Sequence, residues 1–526
     1  MLRLPLAATI AALALAPAAR AQQLGTIDFP TSGAPAAQAH FITGVLYLHS
    51  FEYPSALKEF RDAERLDPGF AMAYWGEAMT YTHPVWDEQD TAAARAALAR
   101  LGATPAARAA KAPTAREKGY LGAVEILYGA GPKPARDTAY AAAMAAVARD
   151  NPGDPEAQLF WALALLGLNQ GDRDVPTYLR AGAIAETAFV HHPDHPGAAH
   201  YVIHAYDDPA HAQIALAAAR AYSRIAPGAA HAQHMTSHIF LALGLWDDVV
   251  TANVHAVHVT AGHAHTDPMH NGCFHYNEWL EYGYLQQGRP DSAAPVMAAC
   301  WARVGMGGRA GAANSYAQMR TAYLVDAGRP DARWLGTLPT GADAETRADL
   351  AFGTGYAAFR RGDRAAMAAA LAAMDSAVAA LAPSAADPEA GRYPPILRTE
   401  LRAMAAMLGG DTARALALAA AAAHSDDSLP FPFGPPATFK PPHELRGDLF
   451  LAARRGDSAR AEFTLAIART PRRPAVVLGL ARANAIAGDR AAAKAAYAQL
   501  FEIWHGAQPW YAPLAEARKE EGALTP

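Results

Sequence analysis

Apolar residues recur along most of the chain at the three- and four-residue spacing of one helical face. The stretch HSFEYPSALKEFRDAERLDPGFAMAYWGEAM, residues 49–79, shows one unit: an apolar stripe, an Asp-Pro pair and a second stripe. Similar paired stripes follow and are separated by turns that contain glycine, for example at Gly244 and Gly288. Such spacing predicts amphipathic helices. Its repetition predicts roughly eleven helical hairpins between residue 36 and about residue 505.

The repeated unit resembles the tetratricopeptide repeat (TPR) family, whose helix–turn–helix unit recurs about every 34 residues. The resemblance covers nearly all of the chain after residue 36. It implies an all-α fold, a right-handed superhelical TPR solenoid, whose inner groove binds a peptide or protein partner. Within the family, the stretches AYWGEAM, HAQHMTSHIF and KPPHELRGDLF are similar to the long branch that includes tetratricopeptide repeat protein 38.

Composition narrows the functional class. Hydrophobic residues make up 52% of the chain, charged residues 18%, and the formal net charge is −5. This balance argues against a nucleic-acid partner, and no stretch after the N-terminal segment has the ~20 apolar residues of a membrane span. We find no Gly-rich phosphate loop and no His-Glu-x-x-His, Gly-x-Ser-x-Gly or Cys-x-x-Cys motif. Whether the protein is an enzyme therefore stays open and depends on its histidines.

The N-terminal residues have the pattern of a secretory signal peptide. Arg3 is followed by an apolar stretch over residues 4–17 and by the small-x-small site that ends at Ala21. We expect cleavage after Ala21 and a periplasmic or secreted protein. Cys273 and Cys300 lie on the two arms of one predicted hairpin, so a disulfide and two free thiols are both open interpretations.

We expect four segments. They are the signal peptide (1–21), a TPR solenoid (36–424) with a His-rich part (191–275), a Pro/Phe-rich insertion (425–441), and C-terminal TPR hairpins with a capping helix (442–526). The prolines of the insertion forbid a helix, and its three phenylalanines need burial. We therefore expect an ordered loop there.

Histidines concentrate in one part of the chain, because 15 of the 21 lie between His191 and His275. His231, His234 and His238 share one face of a predicted helix. They lie thirteen, ten and six residues before the turn glycine Gly244, at positions that line the concave face in the TPR pattern. A second His-x-x-x-His pair, His200 and His204, lies 34 residues before His234 and His238.

This spacing has a chemical consequence. Two imidazoles at i and i+4 emerge side by side, and packed helices lie ~8–10 Å apart. We predict a transition-metal site (Zn, Cu or Fe) built from His200, His204, His234 and His238, since imidazoles suit such ions. Further ligands or groove residues are His231, His275, Glu278 and Tyr282, the last three taken from the same count back from Gly288. Asp207, Asp208 and Asp247 are candidate acceptors that orient a ring N–H.

Other interpretations of the histidines stand beside this one. The same residues around an open coordination position would make a metalloenzyme. Without metal, the imidazoles would serve a scaffold that binds a peptide, a protein or a small ligand. Close imidazoles would also repel one another when protonated and act as a pH switch. His255 and His258 are expected on an outer helix, away from the groove.

Overall fold

The computed structural model describes residues 23–168, 173–262, 273–305, 310–328, 332–336, 338–381 and 391–524. The predicted signal peptide and the loop with His263, His265 and His270 lie outside these ranges. The described residues form 25 α-helices and one two-stranded sheet.

The helices follow one another along the whole chain. They are α1 (Pro35–His49), α2 (Tyr53–Leu66), α3 (Ala71–Met79), α4 (Thr91–Leu101), α5 (Pro105–Ala109), α6 (Ala115–Leu127), α7 (Lys133–Asp150), α8 (Pro155–Leu166), α9 (Val175–His191), α10 (Pro196–Ala205), α11 (Ala212–Ile225), α12 (Ala230–Ala242), α13 (Trp246–Gly262), α14 (His275–Gln286), α15 (Pro290–Gly305), α16 (Ala310–Asp326), α17 (Ala344–Arg361), α18 (Arg364–Ala379), α19 (Pro394–Gly409), α20 (Thr412–Asp427), α21 (Pro442–Ala452), α22 (Gly456–Arg469), α23 (Pro474–Ala487), α24 (Arg490–Ile503) and α25 (Ala512–Gly522). Strands β1 (Thr82–His83) and β2 (Glu88–Gln89) pair antiparallel, and short 3-10 helices cover Pro84–Trp86 and Ala332–Leu335.

Helix packing follows the order of the chain. Neighbours in sequence pack against each other, and α8, α10 and α12 also contact one another in turn, as do α17, α19, α21 and α23. This is the packing of stacked helical hairpins, because each unit buries its apolar face only against the next. The prediction of an all-α, TPR-like solenoid is confirmed. The small sheet was not predicted, since two-residue strands leave no periodic signal.

The C-terminal helices close across the middle of the array. Trp504, which follows α24, donates its indole N–H to the carbonyl of Gln286 at 3.1 Å, and Trp246 donates to the carbonyl of Arg472 at 2.9 Å. The backbone at Gly244 has φ +66°, and a Cβ there would come too close to the Pro471 carbonyl oxygen. Glycine is therefore required for two reasons, because it adopts this left-handed conformation and because it leaves room for the carbonyl.

Arg473, which precedes α23, lies at the centre of this closure. Its fully buried guanidinium donates to Glu444 on α21 at 2.7 Å, to Asp326 on α16 at 2.8 Å and to the Tyr282 hydroxyl on α14 at 2.8 Å. The two carboxylates hold the pKa of Arg473 well above its ordinary value despite burial. One cation thus joins four helices that are far apart in sequence.

The Pro/Phe-rich insertion is a loop, but it begins later than expected. Helix α20 runs to Asp427, so the first three residues of the predicted 425–441 segment are helical. Of the three phenylalanines, Phe439 is buried whereas Phe433 is 37% exposed. Gly434 packs against the indole of Trp279, so the loop covers one end of α14.

Among the described helices, none is long and apolar enough to cross a membrane.

Candidate metal centre

Three helices bring six histidines into one cluster. Helix α10 contributes His200 and His204, α12 contributes His231, His234 and His238, and α14 begins at His275. We call these six residues the histidine cluster. The first five are buried and His275 is half-buried.

The imidazole nitrogens of the cluster form two groups of three. In the first triad (His200, His204 and His231) one nitrogen from each ring lies within 4.8 Å of the other two, and the second triad (His234, His238 and His275) meets the same limit. The triads adjoin, because the His231 and His234 ring centroids are 6.3 Å apart and those of His204 and His238 6.4 Å, no farther than His204 lies from His231 within the first triad, at 6.5 Å. The four histidines predicted to form one site thus lie two in each triad.

One repeat rule generates both triads. Each His-x-x-x-His pair takes its third imidazole from thirteen residues before the next turn glycine: His231 before Gly244, and His275 before Gly288. His231, rather than His234, therefore joins the pair on α10.

A hydrogen bond fixes the proton position of one ring in the first triad. Nδ1 of His200 lies 2.6 Å from the carbonyl oxygen of His49. A carbonyl only accepts, so Nδ1 carries the proton and Nε2 carries the lone pair. The Nε2 atoms of His200, His204 and His231 are all buried without a hydrogen-bond partner. Buried polar atoms normally have one, and one ring nitrogen from each of these three residues lies close enough to the other two for the set to hold a metal ion.

In the second triad, two rings likewise contact acceptors through Nδ1. Nδ1 of His238 lies 2.6 Å from Asp207 Oδ2, and Nδ1 of His234 lies 2.7 Å from Asn253 Oδ1. The amide nitrogen of Asn253 donates to the Val249 carbonyl at 2.8 Å, which identifies Oδ1 as the acceptor. Both rings therefore donate through Nδ1, as metal-bound histidines do, and both Nε2 atoms carry lone pairs.

These two Nε2 atoms face each other at 3.1 Å. Two lone pairs at this distance repel one another, whereas a proton or a metal ion bound by both nitrogens makes the contact favourable. Two nitrogens bound to one ion through bonds of 2.0–2.1 Å lie roughly 2.9–3.4 Å apart at ordinary coordination angles. His234 and His238 are thus at the separation of two ligands on a single metal ion.

Burial keeps five of the six cluster rings neutral. It lowers the pKa of His200 and of His275 to about 3 each. Burial, with the neighbouring imidazoles, lowers the pKa values of His204, His231 and His234 well below the ordinary 6.5. Because a neutral imidazole is the form that binds metal, these rings are ready ligands at neutral pH.

Aromatic rings surround the cluster. The Phe51 ring lies 4.4 Å from that of His200, and the Trp279 ring lies 4.3 Å from that of His238, between centroids. Such an apolar shell limits the access of water and strengthens electrostatic interactions within the site.

The other predicted site residues lie elsewhere. Glu278 and Tyr282 line a cavity beside His275 and belong to neither triad. Asp208 contacts Arg173 at 3.1 Å and His211 at 2.8 Å, and the Asp247 side chain is 65% exposed. Of the three candidate orienting acceptors, only Asp207 contacts a cluster ring.

Two groups that orient rings of the histidine cluster, and one further cluster, were not predicted from the sequence. The His49 carbonyl lies 151 positions from the ring it orients, and Asn253 gave no signal among ordinary helix residues. The further cluster is a buried Glu156 that contacts His49 at 2.6 Å and His195 at 3.0 Å. These two imidazoles lower the pKa of Glu156, whereas burial lowers the pKa of His49, so the three side chains form a buried hydrogen-bonded network.

A disulfide joins Cys273, just before α14, to Cys300 on α15. We expect reduction to lower the free energy of unfolding by about 3–4 kcal/mol, because a crosslink over 27 residues restricts the unfolded chain. Chemical denaturation with and without a reductant measures this. A Cys273→Ser/Cys300→Ser variant should ignore the reductant, and an unchanged wild-type midpoint would refute the estimate.

No protein-family model and no curated protein matches the chain. Among solved structures, the chain is similar to human IFIT1 in a dimer with m7Gppp-AAAA (12% identity, TM-score 0.34, 94% of this chain and 90% of that one). It is also similar to yeast Tom70 (12%, TM-score 0.30, 93% and 95%) and to the Cut9–Hcn1 structure (10%, TM-score 0.32, 94% and 78%). The class of the protein, a helical-hairpin solenoid with a buried histidine cluster, rests on its own helices and site.

Proposed function

We propose that this protein is a helical-hairpin scaffold that binds two transition-metal ions, one at each triad of the histidine cluster. The observation that carries the proposal is the pair of Nε2 lone pairs of His234 and His238 at 3.1 Å. The three unpartnered Nε2 atoms of the first triad support it independently. An all-nitrogen ligand set favours Zn, Cu or Fe over Mg or Ca.

A metalloenzyme is the second candidate function, and the number of ligands favours it. Each triad supplies three protein ligands, whereas structural zinc sites are closed by four. An ion held by three imidazoles keeps a position for water or substrate. It can then lower the pKa of a bound water or polarise a substrate oxygen. The chain's residues would hold and orient the ions and exclude bulk water.

Metal content tests the proposal directly. We expect about two ions per chain by elemental analysis of protein purified without added metal, or after titration with Zn²⁺ or Cu²⁺ and removal of excess. Anomalous scattering would then locate the ions at the two triads. Protein that stays free of metal and whose melting temperature ignores both ions would refute the proposal, and would identify a proton on the His234–His238 pair as the cation there.

The Asp207 carboxylate is expected to position His238 rather than to bind metal. Asp207→Asn should weaken metal binding at the second triad by about 10–100-fold, the usual effect of losing such an acceptor. Binding at the first triad should not change. Competition with a coloured chelator measures both affinities. Asp247→Asn is the matched control, because that carboxylate is exposed and contacts no cluster ring, and equal effects of the two variants would contradict the assignment.

We also propose that the protein works in an oxidising compartment, the periplasm or the cell exterior. The Cys273–Cys300 disulfide supports this, as does the signal-peptide pattern of residues 1–21. Determining the N-terminus of the mature protein in cell fractions tests it. We further propose that the protein binds a peptide or protein partner, and that it is similar to the branch with tetratricopeptide repeat protein 38. Both proposals rest on the repeat pattern alone.

A further inference from the structure

A cavity of about 410 Å³ opens beside the second triad. Helix α14 forms one side of it through His275, Trp279 and Glu281, α16 and α17 form another, and the loop before α21 covers it with Phe433 and Phe439. Its volume lies within the usual range of small-molecule pockets, about 300–1,000 Å³. None of its lining residues except His275 belongs to the histidine cluster.

The lining of the cavity is acidic and aromatic. Four carboxylic acids line it (Glu278, Glu281, Glu345 and Asp349), with five aromatic side chains (Trp279, Tyr282, Tyr393, Phe433 and Phe439). Among the described residues that line it, no lysine or arginine occurs. The cavity therefore offers several carboxyl groups and several ring faces that attract cations.

Glu281 is the decisive residue. Its side chain is fully buried, and neither carboxyl oxygen has a hydrogen-bond partner. Burial and the nearby acids Asp326 and Glu278 raise its pKa well above the ordinary value. The buried cation Arg473 already contacts Glu444, Asp326 and Tyr282. A buried, unpartnered acid in an aromatic cavity is costly for folding alone and suits a ligand that brings its own donor.

The acids do not form a site for an inorganic ion. In the parts of the chain that the structure describes, no three of these carboxyl groups bring oxygens within 4.8 Å of one another. Divalent ions such as Ca²⁺ need several oxygens converging on one point. An extended cation that contacts Glu281 at one end and the aromatic walls along its body matches the lining better.

We infer that this cavity binds a small organic molecule with a protonated amine and an apolar or aromatic body. The ammonium donates to Glu281, and the body packs against Trp279 and Phe439. This ligand class goes beyond the proposed metal function, because the cavity shares only His275 with the metal centre. In the metal-loaded protein the ligand would lie next to the second triad.

The test uses phenethylamine as the probe, with 2-phenylethanol and 3-phenylpropionate as neutral and anionic analogues of similar size. Calorimetry on the full chain, with metal removed by a chelator, should give the order amine, then alcohol, then acid. Glu281→Gln should weaken phenethylamine binding by about ten- to a hundredfold, the effect of losing a charge-assisted hydrogen bond. Asp349→Asn provides a second variant from the same cavity, and Glu502→Gln, an exposed acid on α24, is the matched control.

Equal binding of phenethylamine and 2-phenylethanol, or an unchanged affinity in well-folded Glu281→Gln, would overturn the inference. The metal proposal is tested independently of this inference. Phenethylamine binding should persist in a His204→Ala/His238→Ala variant, and metal content should persist in Glu281→Gln.

Discussion

His204→Ala and His238→Ala should each remove one of the two metal ions, and the double variant should remove both. His204 belongs to the first triad and His238 to the second. Losing one of three imidazoles leaves a pair that cannot hold an ion against a competing chelator. Elemental analysis after dialysis against a weak chelator gives the stoichiometry, which should fall from about two to one and then to none.

His258→Ala is the control for this series, because His258 is exposed on α13 and should leave both ions in place. The single variants also separate two architectures. If the cluster held one ion through four histidines, either substitution would abolish binding altogether, and the wild type would hold a single ion. A loss of metal in the His258 variant would show that the surface histidines, not the buried cluster, bind the metal.

The second large effect concerns acid stability of the metal-free protein. His200 has a pKa of about 3 in the folded chain and about 6.5 when unfolded. Between these values the unfolded chain takes up a proton that the folded chain does not. The free energy of unfolding is therefore unaffected by this ring above pH 6.5, and it falls progressively as the pH drops toward 3. From pH 6.5 to 4.5 this one ring should cost about 2–3 kcal/mol.

Other cluster rings add to this loss. Burial also lowers the pKa values of His204, His231, His234 and His275. We expect denaturant midpoints to fall steeply between pH 6.5 and 4.5, a window that lies above the ordinary range of carboxyl groups. His200→Gln should reduce the slope by about one proton, whereas His258→Ala should not. A free energy of unfolding that stays constant over this window would show that the rings titrate normally.

The fold was largely predictable because it depends on local periodicity. Apolar spacing and turn glycines such as Gly288 are properties of adjacent residues, and they carry the helix–turn–helix order. The closure by Arg473 was not predictable. Its partners Glu444, Asp326 and Tyr282 are recognisable only when α14, α16 and α21 have been placed in space.

The proximity of the histidines was predictable from the sequence, but their grouping was not. The 34-residue spacing places His200 and His204 near His234 and His238, as the structure does. The spacing carries no information on which further imidazole joins each pair, and the structure groups His231 with the first pair and His275 with the second. Glu281 was missed because a single acid in a helix is usually solvated.

The Arg473 contacts also limit how this protein can have evolved. Open repeat arrays gain or lose whole units easily, because each unit touches only its neighbours. Here, deleting a hairpin between α16 and α21 would pull Asp326 and Glu444 away from a common guanidinium and leave a buried charge unmatched. Homologues should therefore keep the number of hairpins in this interval constant, and differ in length only in their surface loops or outside the closed segment.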